Sequence, residues 1–86
     1  MTDTVFKVTP TKAQMSALKW LRNRNADGVF DKHQVLVAGG DKAPVMRSTW
    51  NALEAMGLVE SYLNRRRIKV TENGHRVNLS NVRESE

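Results

Sequence analysis

Apolar side chains fall at three- and four-residue spacing in two stretches of this chain, and each predicts a helix with one dry face. In the first, Met15, Leu18 and Leu21 form a stripe widened by Ala17 and Trp20, while Lys12, Lys19, Arg22 and Arg24 take the wet side. A helix from about Pro10 to Arg24 is expected, started by Thr9-Pro10-Thr11, which offers a hydroxyl cap and a proline in the first turn. In the second stretch, Met46, Trp50 and Leu53 lead to Gly57, which suits the left-handed position just past a helix end. Arg47, Ser48 and Asn51 project from the opposite face of that helix. Between the two, Asn25-Ala26-Asp27-Gly28 is a break, and Val29-Phe30 is long enough for one strand rung. Asp31 is placed to cap a short helix from Lys32 to about Ala38, with Val35 and Leu36 inward and Gly39-Gly40 ending it. Asp41 is a cap for the third helix, which tolerates Pro44 in its first turn.

Past Gly57 the pattern changes. Leu58-Val59-Glu60-Ser61-Tyr62 is an expected strand, and Arg66 to Thr71 returns as its partner across Leu63-Asn64-Arg65. Thr71 to Val77 is a capped helical turn that closes the domain, and Asn78 to Glu86 form a polar tail expected to fray. At the front, residues 1–8 make an arm in which Val5-Phe6-Lys7-Val8 alternates as an edge strand would. The expected architecture is α+β, three helices plus a β-hairpin, in one small domain over residues 9–77. Two short helices joined by a glycine turn, the second exposing polar residues, form a helix-turn-helix arrangement.

Charge turns this outline toward a polyanionic partner. The formal net charge is +5, and Arg65, Arg66, Arg67 and Lys69 crowd into five positions of the expected hairpin. No cysteine is present, so neither a disulfide nor a thiolate metal site can form. No apolar run approaches the roughly 20 residues that span a bilayer, and the first ten residues lack the pattern of a secretion signal. A cytoplasmic protein with no membrane contact is the expectation.

Sharper chemistry finds little support. Asn23 to Asp31 follows the start of a calcium-binding EF-hand loop, with glycine at its sixth place, but Gln34 stands where a bidentate glutamate is needed. Gly39-Gly40-Asp41-Lys42 lacks the second half of a phosphate loop. His33 and His75 have no ligand spacing, and Glu54 and Glu60 have no partner acid. Neither a metal, a cofactor nor an enzymatic activity is expected. The helical spacing of Trp20 and Trp50 assigns both to the core, with Met46 and Met56 as fillers beside them.

Residues 44–74 also carry a resemblance. A helix running into Gly57-Leu58-Val59-Glu60, then Arg65-Arg66-Arg67, then Val70-Thr71-Glu72-Asn73-Gly74, resembles the recognition helix and wing of winged helix-turn-helix regulators of the MarR and PadR type. The likeness implies a helix of about residues 42–56 in the major groove of double-stranded DNA. It also implies a wing of about residues 62–69 on the backbone or in the minor groove, and a repressor-like role suited to a phage or bacterial regulator. The long flanking helices that build the MarR dimer and ligand crevice have no counterpart in this sequence.

On that footing Arg47 and Asn51 suit base reading, since arginine pairs bidentately with guanine and asparagine with adenine. Ser48 and Lys42 suit phosphates, and Asn64, Arg65, Arg66, Arg67 and Lys69 make the wing contact. The competing expectation is a module that binds another protein without DNA, through Val5, Phe6, Leu79 and Val82 at the two ends of the chain. The same residues would suit a homodimer contact.

Overall fold

Thr11 starts the first helix with a reciprocal pair of hydrogen bonds. Its hydroxyl accepts from the Gln14 amide at 3.1 Å, and the Gln14 side chain accepts from the Thr11 amide at 2.9 Å. Pro10 therefore precedes the cap instead of occupying the first turn. A computed structural model of the chain describes residues 10–84, so the expected arm and Thr9 lie outside the described residues. The elements are α1 (Lys12–Arg22), β1 (Asp27–Phe30), β2 (Leu36–Ala38), β3 (Asp41–Lys42), α2 (Arg47–Ala55), β4 (Val59–Tyr62), β5 (Arg67–Val70) and α3 (Glu72–Arg76). The class is α+β, with three helices and an antiparallel five-stranded sheet in the order β3-β2-β1-β5-β4.

One helix expected from the pattern is a strand. Residues 32–34 turn, Leu36–Ala38 pair with β1, and Asp41–Lys42 add the edge strand β3. Asp31 does collect amides as a cap would, from His33 at 2.8 Å and Val35 at 3.0 Å. Yet the Asp31 amide donates to the Val35 carbonyl at 2.9 Å, and Gln34 is left-handed at φ 65°, so the chain closes as a hairpin. A seven-residue helix is marginal in any case, and Val35 and Val37 are β-branched. Gly28 favours the strand too, since a Cβ there would lie 2.9 Å from Leu36 Cγ. The two-helix unit expected between residues 32 and 56 is thus a hairpin followed by one helix. Asp41 lies in β3, and α2 begins after Met46, which supplies no side-chain cap.

Both longer helices pack on one face of the sheet. Leu18, Leu21, Leu36, Trp50, Leu53, Val59 and Ile68 are almost wholly buried in one cluster, and the rings of Trp20 and Trp50 lie 6.3 Å apart. Met46 is 76% exposed, so the dry face of α2 starts at Trp50. The other face of the sheet carries Asp27, Val29, Glu60, Tyr62, Arg67 and Lys69, paired across strands by register. The segment after α3, expected to be a polar tail, packs back on the core at two points over residues 78–84. Leu79 is buried, Val82 packs against the core, and Lys19 Nζ donates to the carbonyls of both, at 3.2 and 2.7 Å. Leu79 therefore cannot form the exposed apolar end considered above.

Candidate functional site

Two turns and a helix N-terminus meet at one end of the sheet. β1 finishes at Phe30, whose amide donates to the Arg66 carbonyl at 2.8 Å, so the β1–β2 turn and the β4–β5 turn lie side by side. The β4–β5 hairpin is consequently not a free arm, because β1 flanks it up to its last rung. The N-terminus of α2 arrives at the same place through Arg47. Its Nη1 donates to Gln34 Oε1 in the first turn, and its Nη2 donates to the Arg65 carbonyl in the second, at 3.0 Å. The guanidinium also lies over the Phe30 ring, 4.1 Å from its centre.

A hollow of about 360 Å³ opens between these elements, walled by Lys32, Arg47, Arg65 and Arg66, with Phe30, Asp31, Gln34 and Asn64 completing it. Four of its eight walls are cationic. Among the described residues, Arg66 and Lys32 make no ion pair or side-chain hydrogen bond, and both are exposed. Arg65 reaches Glu54 at 3.5 Å. Two carboxylates stand at this end and each is held low. The Glu54 carboxyl lies below its usual range because the Ser61 hydroxyl donates to it at 2.7 Å, with the Ser61 amide adding to the effect and Arg65 and Arg47 beyond. That same contact caps an amide on the outer edge of β4, an edge that would otherwise invite another strand. The Asp31 carboxyl is lowered chiefly by the Val35 amide and also by that of His33.

The residues singled out from the sequence divide into two groups. Arg47, Ser48, Asn64, Arg65 and Arg66 come together at this end. Ser48 and Asn51 are exposed on α2 one turn apart, and neither has a side-chain partner among the described residues. Arg47, expected to project freely, is instead the strut between two turns. Arg67 points along the open face of the sheet, where it donates to the Tyr62 hydroxyl at 3.0 Å and pairs with Asp27 at 3.3 Å. The Tyr62 contact is the main reason its guanidinium is held above its ordinary range. Lys69 lies two residues further from the tip and faces Glu60 at 3.7 Å. Lys42 stands on β3 opposite Val37, at the far edge of the sheet from β4.

Sequence reasoning missed the β1–β2 turn as part of the site. The local pattern predicts a helix through Lys32, His33 and Gln34, and only the β-branched alternation of Val35 and Val37 signals otherwise. No family model matches the chain, and the searches of curated proteins and of solved structures returned no match either.

Proposed function

We propose that this chain binds double-stranded DNA through the end built by the β1–β2 turn, the N-terminus of α2 and the β4–β5 turn, and acts as a repressor-like regulator by occluding its site. The observation that carries the proposal is the convergence of Lys32, Arg47, Arg65 and Arg66 from three separate elements around one hollow. Cations placed by rigid elements neutralise successive phosphates and release counterions, which is the main source of affinity for a duplex. Ser48 and Asn51, on the exposed face of α2, are the side chains offered to base edges. Arg47 holds the two turns at a fixed distance from that helix.

The resemblance of residues 44–74 to winged regulators supports the same use of helix and hairpin. A β-hairpin stands where the first helix of a helix-turn-helix is found, so the proposal is a helix-and-two-turns grip. Salt-dependent fluorescence anisotropy on random duplex tests it, comparing the wild type with the Arg65→Ala/Arg66→Ala protein. Steep loss of affinity with salt, and a shallower slope in the variant, are expected. Weak binding that the double substitution leaves unchanged would overturn the proposal and favour a protein partner, for which the exposed Met46 and Leu63 at the same end are the anchors.

A further inference from the structure

Leu63 opens the β4–β5 turn, directly after the last residue of β4, and is 63% exposed, an apolar side chain followed by three polar or cationic ones at 64–66. Its backbone is unusual. Leu63, Asn64 and Arg65 are all left-handed, at φ 53°, 59° and 65°, a conformation that glycine adopts freely and branched residues resist. Three consecutive side-chain-bearing residues in that region persist only where the surroundings hold them. Here the surroundings do so. The Arg66 amide donates to the Leu63 carbonyl at 3.1 Å, the Phe30 amide to Arg66, and the Arg47 guanidinium to the Arg65 carbonyl. Leu63 shares a recess with Val29, Phe30, Asn64, Arg66 and Arg67, while Arg65 lines the neighbouring cationic hollow.

Resting on the DNA-binding proposal above, we infer that Leu63 is a wedge that enters the minor groove at a base step and bends the duplex, with Arg65 and Arg66 holding the phosphates on either side. A flexible loop would fold an exposed leucine back onto the protein, whereas a pinned turn keeps it forward. Unstacking a base step costs free energy, and a bent duplex returns it by bringing more backbone within reach of the protein. The neighbouring cations supply that return, since Lys32 and Arg66 lie on the two adjacent turns. The duplex is favoured over a protein ligand because Arg65 and Arg66 directly follow Leu63 and line a hollow with Lys32 and Arg47, so the apolar side chain stands beside charge suited to phosphates.

The test uses a duplex of about 20–30 base pairs labelled at both ends for energy transfer, with anisotropy read on the same samples. At saturating wild-type protein, energy transfer between the ends is expected to rise, and 2-aminopurine at the bent step to brighten as it unstacks. Leu63→Ala should remove most of both signals while weakening binding by less than about tenfold, because the phosphate contacts remain. Leu63→Phe, which keeps an apolar wedge, should retain the bend. Wild-type binding with unchanged energy transfer would overturn the wedge and leave the DNA-binding proposal standing, as would full bending by Leu63→Ala. No anisotropy change with any duplex would overturn both together.

Discussion

The two ends of the sheet use the same residue types in opposite ways. At the end where α1 finishes, three cations are committed. Lys19 is bonded to the carbonyls of Leu79 and Val82, and Arg22 donates to the Val77 carbonyl at 2.8 Å. Arg24 bonds the Trp20 carbonyl, Asp41 and Glu84, each at 3.0 Å, and lies over the Trp20 ring. Asp41 is the main reason its guanidinium is held above its ordinary range. At the opposite end, Lys32 and Arg66 face solvent and Arg65 has one distant partner. A guanidinium has five donors and no acceptor, so what it is bonded to decides whether it can serve a ligand. Net charge counts both ends alike. Hydrogen-bond accounting separates them: the first group holds residues 77–84, and the second is left with donors to spare.

Trp50→Ala would break the comparison outright, because both ends hang on the cluster that Trp50 fills. The indole is fully buried, and its removal should cost about 3–5 kcal/mol, a large part of the stability of a domain this size. Urea denaturation followed by circular dichroism measures it. A midpoint close to that of the wild type would mean that α2 does not pack as described.

Arg22→Ala and Arg66→Ala sharpen the comparison as a pair. Losing Arg22 leaves the Val77 carbonyl without its charged donor and should cost roughly 1.5–3 kcal/mol of stability. Its effect on DNA affinity should be negligible. Losing Arg66 should change stability by no more than about 0.5 kcal/mol and weaken every duplex alike, with the salt slope falling by about 1. Melting curves and anisotropy on both proteins give the four values. If Arg22→Ala were the one to weaken DNA binding, the two ends would have been assigned the wrong way round.

How much of this was legible in the sequence depends on the range of the interaction. α1, α2, the β4–β5 hairpin and the Thr71 cap were readable, because periodicity, Gly57 and a hydroxyl before a turn are local signals. The β1–β2 hairpin was not. Its strand gains its hydrogen bonds from β1, and β1 from β5, a residue pairing such as Gly28 with Ile68 that spans half the chain. Asp31 misled for a physical reason, since the same carboxylate that caps a helix also collects amides in a turn. The commitment of Arg22 and Lys19 was equally hidden, because their acceptors are backbone carbonyls some fifty to sixty residues away. Arg65 and Arg66 were recognisable as a tip from their place between two strands, whereas the clamping of Arg47 needed Gln34 brought alongside.

Acid supplies the finest probe of the contrast. Glu54 is the carboxylate that restrains Arg65, and its folded-state affinity for protons is lowered by the Ser61 hydroxyl. A group whose pKa is lower in the folded state stabilises the fold above its unfolded value, and loses that contribution as pH falls through the folded value. Glu54→Gln keeps the shape but not the charge, so it should be less stable than the wild type at pH 7, by about 1 kcal/mol, the difference between a charged and a neutral hydrogen bond. As pH falls below about 4.3, the ordinary value for a glutamate in the unfolded chain, the two melting curves should begin to converge, because the unfolded wild-type chain then takes up a proton that the folded Glu54 resists. A gap that persists undiminished at pH 3 would show that packing, not charge, is what Glu54 contributes. At pH 7 the same substitution frees Arg65 and removes one negative charge beside the hollow. It should therefore tighten binding to any duplex and steepen the salt dependence, the reverse of Arg66→Ala, while a matching substitution at Glu84, which restrains Arg24 at the other end, should leave binding unchanged.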